Sequence, residues 1–451
     1  MPTTTNTGRI KLMSLLLGAL VLCVPALINR FPFIYSDTGT YLLVGFGDGI
    51  SYIRTLTYGI FLRHICMMES FWFVVLAQAL MVTWYIQLFV RVFFPGRPPF
   101  FEVGIVALLT MTTSIGICTG MLMPDFTTPL IFLGSVLFLF GGDLSKLIQG
   151  INVFFIWFFL TVHHSHALIL LPTLVGFYLV SLFLRKNKDW KPSRKMAYLA
   201  LVIVIGYVSI PTAHYLKKGE FVSSKSQNVF LMSRFNQMGL LTPFLRDACQ
   251  ENDYTICPYR DSIPSDFLWN GKSPLQKDGG WIPNNENYQP VVRDFFFNPK
   301  YTKRFIIKSL ETAAQQFVTF NTVLISPFSR GEWPQNVFQE QVPHTVAQFE
   351  SSKQNRKQWN NKAIDLSQNV LVFTSAVFLI WFFGYQDRYA IEPIHRKIAT
   401  LLLLFLLANA FVCGGISMIA PRFQSRVIWL VPLFALGIIS HGKLFYRNRL
   451  S

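Results

Sequence analysis

The chain has 451 residues, 52% of them hydrophobic and only 14% charged. Soluble domains carry about 25% charged residues, so much of this surface does not face water. The net charge of +17 is not gathered into one patch. Its Lys and Arg residues fall in short clusters between apolar runs, which argues against a nucleic-acid partner and for the positive-inside pattern of a membrane protein.

Ten apolar runs approach the ~20 residues needed to cross a bilayer. They cover 12–29, 70–90, 103–124, 126–142, 147–162, 167–184, 196–216, 366–386, 398–421 and 427–440. The first follows Arg9 and Lys11. Its length and the lack of a small-x-small cleavage site predict a retained anchor rather than a signal peptide. The expected fold is an all-α polytopic membrane protein with about ten transmembrane helices. A mixed non-cytoplasmic subdomain is expected between helices 7 and 8, dividing the chain into 1–216, 217–365 and 366–451.

Orientation follows from the basic residues. Arg9 and Lys11, Arg91 and Arg97, Lys146, the cluster from Arg185 to Lys195, then Arg388, Arg396 and Lys397, and finally Lys443, Arg447 and Arg449 occupy every second connection. This alternation predicts cytoplasmic ends at those points in a plasma or inner membrane. It puts 30–69, the turn at Asp125, the turn at His163–His166, 217–365 and the turn at Arg422–Arg426 on the non-cytoplasmic side.

The 217–365 stretch is too long for a structureless loop, and Phe267, Trp269, Trp281, Tyr288 and Phe295 favour a folded unit. Within it, Phe305, Ile306, Leu310, Ala313 and Phe317 show helical spacing over 299–320. That helix is expected to rest on the membrane surface or on the bundle. Cys249 and Cys257, with seven residues between them on the oxidising side, are expected to form a disulfide. Cys23, Cys66, Cys118 and Cys413 read as inert core residues, and no CxxC occurs.

The chemistry-bearing residues are polar groups at the helix ends, since a charge at membrane depth is costly. Asp37, in Tyr35-Ser36-Asp37-Thr38-Gly39, suits a general base or a divalent-cation ligand, or the cap of a short interfacial helix. Asp125, in Met123-Pro124-Asp125, would give a second carboxylate at the same face, or a helix N-cap. His163 and His166 share a face if their helix is continuous, and suit phosphate binding, metal binding or backbone hydrogen bonding. Two histidines do not specify zinc. Arg422 and Arg426, four apart, project along one helical face and suit an anion such as a lipid phosphate, or snorkelling to headgroups. Arg54 is a weaker candidate of the same kind.

This pattern resembles the C-type (GT-C) membrane glycosyltransferases, which use polyprenyl-phosphate donors. The likeness lies in Asp37 soon after the first helix, in 38–68 as a pair of short interfacial helices, in Asp125 in the second external loop, and in Arg422-Phe423 through Pro432 near a late Arg-Tyr-x-x-x-x-Pro element. It covers roughly the first 215 residues and, more loosely, the last three helices. Phe423 departs from the family's Tyr, and Asp125 lacks a paired acid. The resemblance implies sugar transfer from a lipid-linked donor, with Asp37 and Asp125 catalytic, and Arg54, His163, His166, Arg422 and Arg426 on the substrate. Asp37→Asn is then expected to abolish turnover and leave folding nearly unchanged. A non-catalytic subunit of envelope or polysaccharide assembly, or a lipid or anion transporter, are the other expectations. The transporter is disfavoured by the lack of an internal repeat.

Overall fold

The computed structural model describes residues 4–47, 53–142, 144–184, 190, 193–322, 325–384 and 392–441. Arg185, Lys186, Lys188, Lys191, Arg388, Lys443, Arg447 and Arg449, which carry part of the orientation argument, lie outside the described residues.

Among the described residues the chain is helical throughout, with one isolated bridge between Phe33 and Met121. The N-terminal part runs α1 (Thr4–Asn29), α2 (Ser36–Phe46), α3 (Leu56–Cys66), α4 (Trp72–Phe93), α5 (Phe101–Thr112), α6 (Ile115–Thr119), α7 (Thr127–Phe140), α8 (Lys146–Val162), α9 (Ser165–Phe183) and α10 (Arg194–Lys218). The inserted part contributes α11 (Gln227–Gln237), α12 (Leu241–Ala248), α13 (Pro274–Lys277), α14 (Trp281–Asn287), α15 (Gln289–Phe297), α16 (Pro299–Val318), α17 (Gln335–Gln341) and α18 (Val346–Ser351). The chain ends in α19 (Lys362–Gly384), α20 (Pro393–Ala410), a π-helical turn (Phe411–Ser417), α21 (Pro421–Ile428) and α22 (Leu430–Ser440).

Among the described residues, seven helical stretches are long and apolar enough to cross a membrane: Gly8–Asn29, Trp72–Phe93, Ser165–Phe183, Arg194–Lys218, Lys362–Gly384, Pro393–Ser417 and Pro421–Ser440. Many apolar side chains on these helices stay exposed, among them Leu12, Leu201 and Phe373, as a lipid-facing surface requires. Phe101–Thr112, Pro124–Phe140 and Lys146–Val162 are apolar but shorter. The 103–124 run is not one helix. It breaks at Thr113, whose extended backbone ends α5, and its second half turns inward to pair with Phe33.

The expected mixed character of 217–365 is not observed, because its described residues form helices and turns only. The segment also divides in two. Val229, Phe235, Phe244, Phe267, Val291 and Phe295 belong to a separate apolar core, with Phe235 and Phe295 stacked at 3.7 Å. Val337, Phe338 and Phe349 instead join the core shared by the long helices. Cys249 and Cys257 are joined by a disulfide within the first part.

Of the two places expected for the 299–320 helix, α16 takes the bundle. Its Ser309 and Gln316 are buried against the π turn. Gly414 makes the approach feasible, since a Cβ there would collide with Gln316 and the Thr312 carbonyl. Arg234 of α11 bonds the Gly414 and Gly415 carbonyls and Thr312 Oγ1, satisfying carbonyls near the end of the π turn.

Candidate functional site

Four separate stretches meet at one end of the helices, and buried amides hold them there. After α1, Phe33 exchanges backbone hydrogen bonds with the 120–122 strand-like stretch, at 2.9 Å to the Gly120 carbonyl and 3.0 Å from the Leu122 N–H. Gln78 of α4 donates to the carbonyls of Thr119 (2.7 Å) and Met121 (3.0 Å) and accepts from Tyr58 of α3 at 2.8 Å. Gln354, just after α18, accepts from the Ile34 N–H at 3.0 Å and donates to the Ile34 carbonyl at 2.7 Å. A buried amide is tolerated only when paired in this way, so each Gln fixes the backbone it touches.

This framework positions Asp37 in the first turn of α2. The cap of that helix is Tyr35, whose N–H bonds Thr38 Oγ1 at 3.1 Å. Asp37 is therefore not the cap. Its Oδ1 lies 2.7 Å from Arg54 Nη2, and its Oδ2 lies 3.1 Å from Arg422 Nη2. Burial would raise the Asp37 pKa, but the two guanidinium groups outweigh it and hold the carboxyl down at about 2. Arg422 also lies 4.3 Å over the Tyr35 ring, while its Nη1 is buried without a hydrogen-bond partner.

One helical turn further along α21, Arg426 is 1% exposed and meets Asp125, 8% exposed, at 2.6 Å from Nη1 to Oδ1. Pro421 starts α21 and sends Arg422 and Arg426 down one face, as their four-residue spacing requires. Asp125 sits in a 3-10 turn, Pro124–Phe126, ahead of α7, and its carboxylate goes to the arginine rather than to a cap. Arg426 Nη2 also approaches Cys413 Sγ (3.4 Å) on the π turn and Asn409 Oδ1 (3.5 Å) on α20. Asp37, Asp125, Arg422, Arg426 and Arg54 thus form one acid–arginine cluster drawn from distant parts of the chain.

The histidines divide. The helix is not continuous, because His163 has extended backbone at the end of α8 and α9 begins at Ser165. The His163 and His166 rings nevertheless lie 5.3 Å apart. His166 is fully buried, and both of its nitrogens are engaged, Nδ1 at 2.5 Å from the Phe159 carbonyl and Nε2 at 2.9 Å from Thr128 Oγ1. It is packed as a structural group with no nitrogen left for a ligand. His163 accepts from the Ser165 N–H through Nδ1 at 3.1 Å, so its neutral ring carries the proton on Nε2. Burial, with the charges of His166, Arg426 and Arg54, pulls its pKa well below the ordinary range. Burial does the same to His164, with a smaller effect from Arg54, taking it to about 4. Both rings are neutral at pH 7, so neither supplies a cation for a phosphate. Thr55 Oγ1, bonded to the Val162 carbonyl at 2.7 Å, ties the Arg54 segment to this turn.

As arranged, Asp37 and Asp125 do not present a divalent-cation site. Both Asp37 oxygens face guanidinium groups, and Asp125 faces a third. No group of three or more His, Cys, Asp or Glu that could hold a metal occurs among the described residues.

Sequence reasoning passed over Gln78, Gln354 and Asn409. Asn409 is a lone amide inside its apolar run and Gln78 shares its run with Gln87, and those interruptions were the available signal. It also passed over Lys362 and Asp365, which line a cavity of about 450 Å³ together with Tyr35, Trp359 and Arg422. The chain matches no family model, and no curated protein and no solved structure matched it.

Proposed function

We propose that this chain is a ten-crossing membrane transferase that moves a sugar from a polyprenyl-phosphate donor to an acceptor at the non-cytoplasmic face. The observation that carries the reading is Asp37 held between Arg54 and Arg422, beside a cavity, with Arg422 Nη1 still unpartnered. A buried guanidinium with one terminal nitrogen left unpartnered favours a phosphate oxygen.

In this mechanism the acceptor hydroxyl attacks the anomeric carbon and the bond from that carbon to the phosphate oxygen breaks. The lipid phosphate leaves as an anion stabilised by Arg54 and Arg422. The hydroxyl proton passes to Asp37. An Asp37 held near 2 is a poor base. Binding of the donor phosphate shares the two arginines, weakens their hold on the carboxylate and raises its basicity at the moment it is needed. Asp125 neutralises Arg426 and keeps α21 in register with the 120–126 segment.

The second reading, a non-catalytic subunit of envelope or polysaccharide assembly, draws on the same geometry, because three largely buried acid–arginine ion pairs also serve a purely structural end. Transfer from a panel of undecaprenyl-phosphate hexoses by the purified full chain separates the two. Arg422→Ala should weaken donor use by about 2 kcal/mol or more, roughly thirtyfold in kcat/KM. Turnover that is indifferent to Arg422→Ala would remove the transferase reading. Binding of an envelope protein with no turnover on any donor would favour the second.

A further inference from the structure

The cavity beside the cluster is closed on one side by the N-terminus of α21 and on the other by the chain entering α19. We infer that this cavity is a glycosyl subsite, taking one or two hexose rings whose sugar–phosphate bond lies against Arg422. The inference rests on the transferase reading above and names the part of the substrate that the acid–arginine cluster does not account for.

Four observations carry it. The volume of about 450 Å³ falls within the ~300–1,000 Å³ of small-molecule sites. The lining mixes donors and acceptors: Lys362 donates, Asp365 accepts, and Asn321 and Asn360 do both. A site for a small inorganic anion would present donors alone, whereas sugar hydroxyls both give and take hydrogen bonds. Trp359 and Ile325 supply apolar surface for the C–H face of a ring. Trp359 is held firmly, edge-to-face on Phe33 at 4.7 Å, with its indole N–H on Asn361 Oδ1 at 2.5 Å.

The fourth observation is a pair of unsatisfied groups in the wall. Thr322 is 5% exposed, and its Oγ1 is buried with no hydrogen-bond partner, although its backbone N–H is paired with Asp365 at 2.5 Å. Arg422 Nη1 is likewise buried and unpartnered. Orphaned buried polar atoms cost free energy, and two in one cavity wall point to an occupant that satisfies both. Arg422 joins the two sites, since its other terminal nitrogen holds Asp37. A ring in the cavity therefore sits one side chain away from the carboxylate.

The test measures binding to the full chain in nanodiscs. The probes are undecaprenyl phosphate, the same carrier bearing glucose, galactose or mannose, and free hexose trisaccharides. At least one glycosylated carrier should bind about tenfold tighter than the bare phosphate. Thr322→Val, which keeps shape and loses the hydroxyl, and the exposed Asn321→Ala should each cut that advantage to about threefold or less, leaving bare-carrier affinity unchanged. Arg422→Ala should weaken bare and glycosylated carriers together. Where the bare carrier binds, the subsite is overturned if no glycosylated carrier outbinds it, or if both variants leave the advantage intact. If no carrier lipid binds but a free trisaccharide does so in a Thr322-dependent way, the subsite stands and the lipid-phosphate donor falls.

Discussion

Replacing Asp37 by Asn removes one charge and leaves two. In the folded chain the carboxylate is shared by Arg54 at 2.7 Å and Arg422 at 3.1 Å, and all three side chains are largely buried. The fall of the Asp37 pKa from 3.8 to about 2 corresponds to about 2–3 kcal/mol at ~1.4 kcal/mol per tenfold. Two guanidinium groups left close together without a counter-charge add to this, so Asp37→Asn should destabilise the fold by about 2–4 kcal/mol. The structure therefore revises the expectation of a nearly unchanged fold, because the partners of Asp37 were not legible in its local sequence. The sign of the pH dependence follows from the depressed pKa. The contribution is complete above the unfolded value of 3.8 and is lost as pH falls through about 2, so the deficit should be flat across about pH 5–8. Unfolding by SDS titration in mixed micelles measures it. Adding Arg54→Gln to Asp37→Asn should restore part of the stability and none of the turnover, which separates the structural role from the chemical one. An Asp37→Asn protein as stable as the parent, within about 0.5 kcal/mol, would refute the charge-sharing geometry.

Arg426→Met should cost about 3–5 kcal/mol by leaving Asp125 buried and uncompensated, and Asp125→Leu in the same chain should recover most of it, read by the same titration. Gly414→Ala should loosen α16 from the π turn, because the added methyl meets Gln316, and faster amide exchange in α16 than in α4 would show it. A reporter fused after Leu216 should score as non-cytoplasmic and one within 385–391 as cytoplasmic. The opposite result at Leu216 would overturn the orientation and the side assigned to the cluster.

The membrane class of this protein was written in its sequence, because bilayer thickness imposes a length and a composition that each apolar helix must carry locally. The end of each apolar run was likewise marked by the polar residues that stop it, so Asp37, Asp125, Arg422 and Arg426 stood out before any contact was known. The break of the 103–124 run falls in the hydroxyl cluster Thr110-Met111-Thr112-Thr113-Ser114, but uncharged hydroxyl residues also occur inside continuous membrane helices, so the sequence alone did not decide it. It follows from pairing with Phe33 and from Gln78, which lie far away in sequence. The fate of each charge was also a tertiary decision. His166 looked like a ligand and is consumed by Thr128 and the Phe159 carbonyl. Arg54, a weaker candidate for an anion, is a direct partner of Asp37. A side chain's type sets which bonds it can make, but only the folded neighbourhood sets which are already made and which, as at Thr322 and Arg422, are left open.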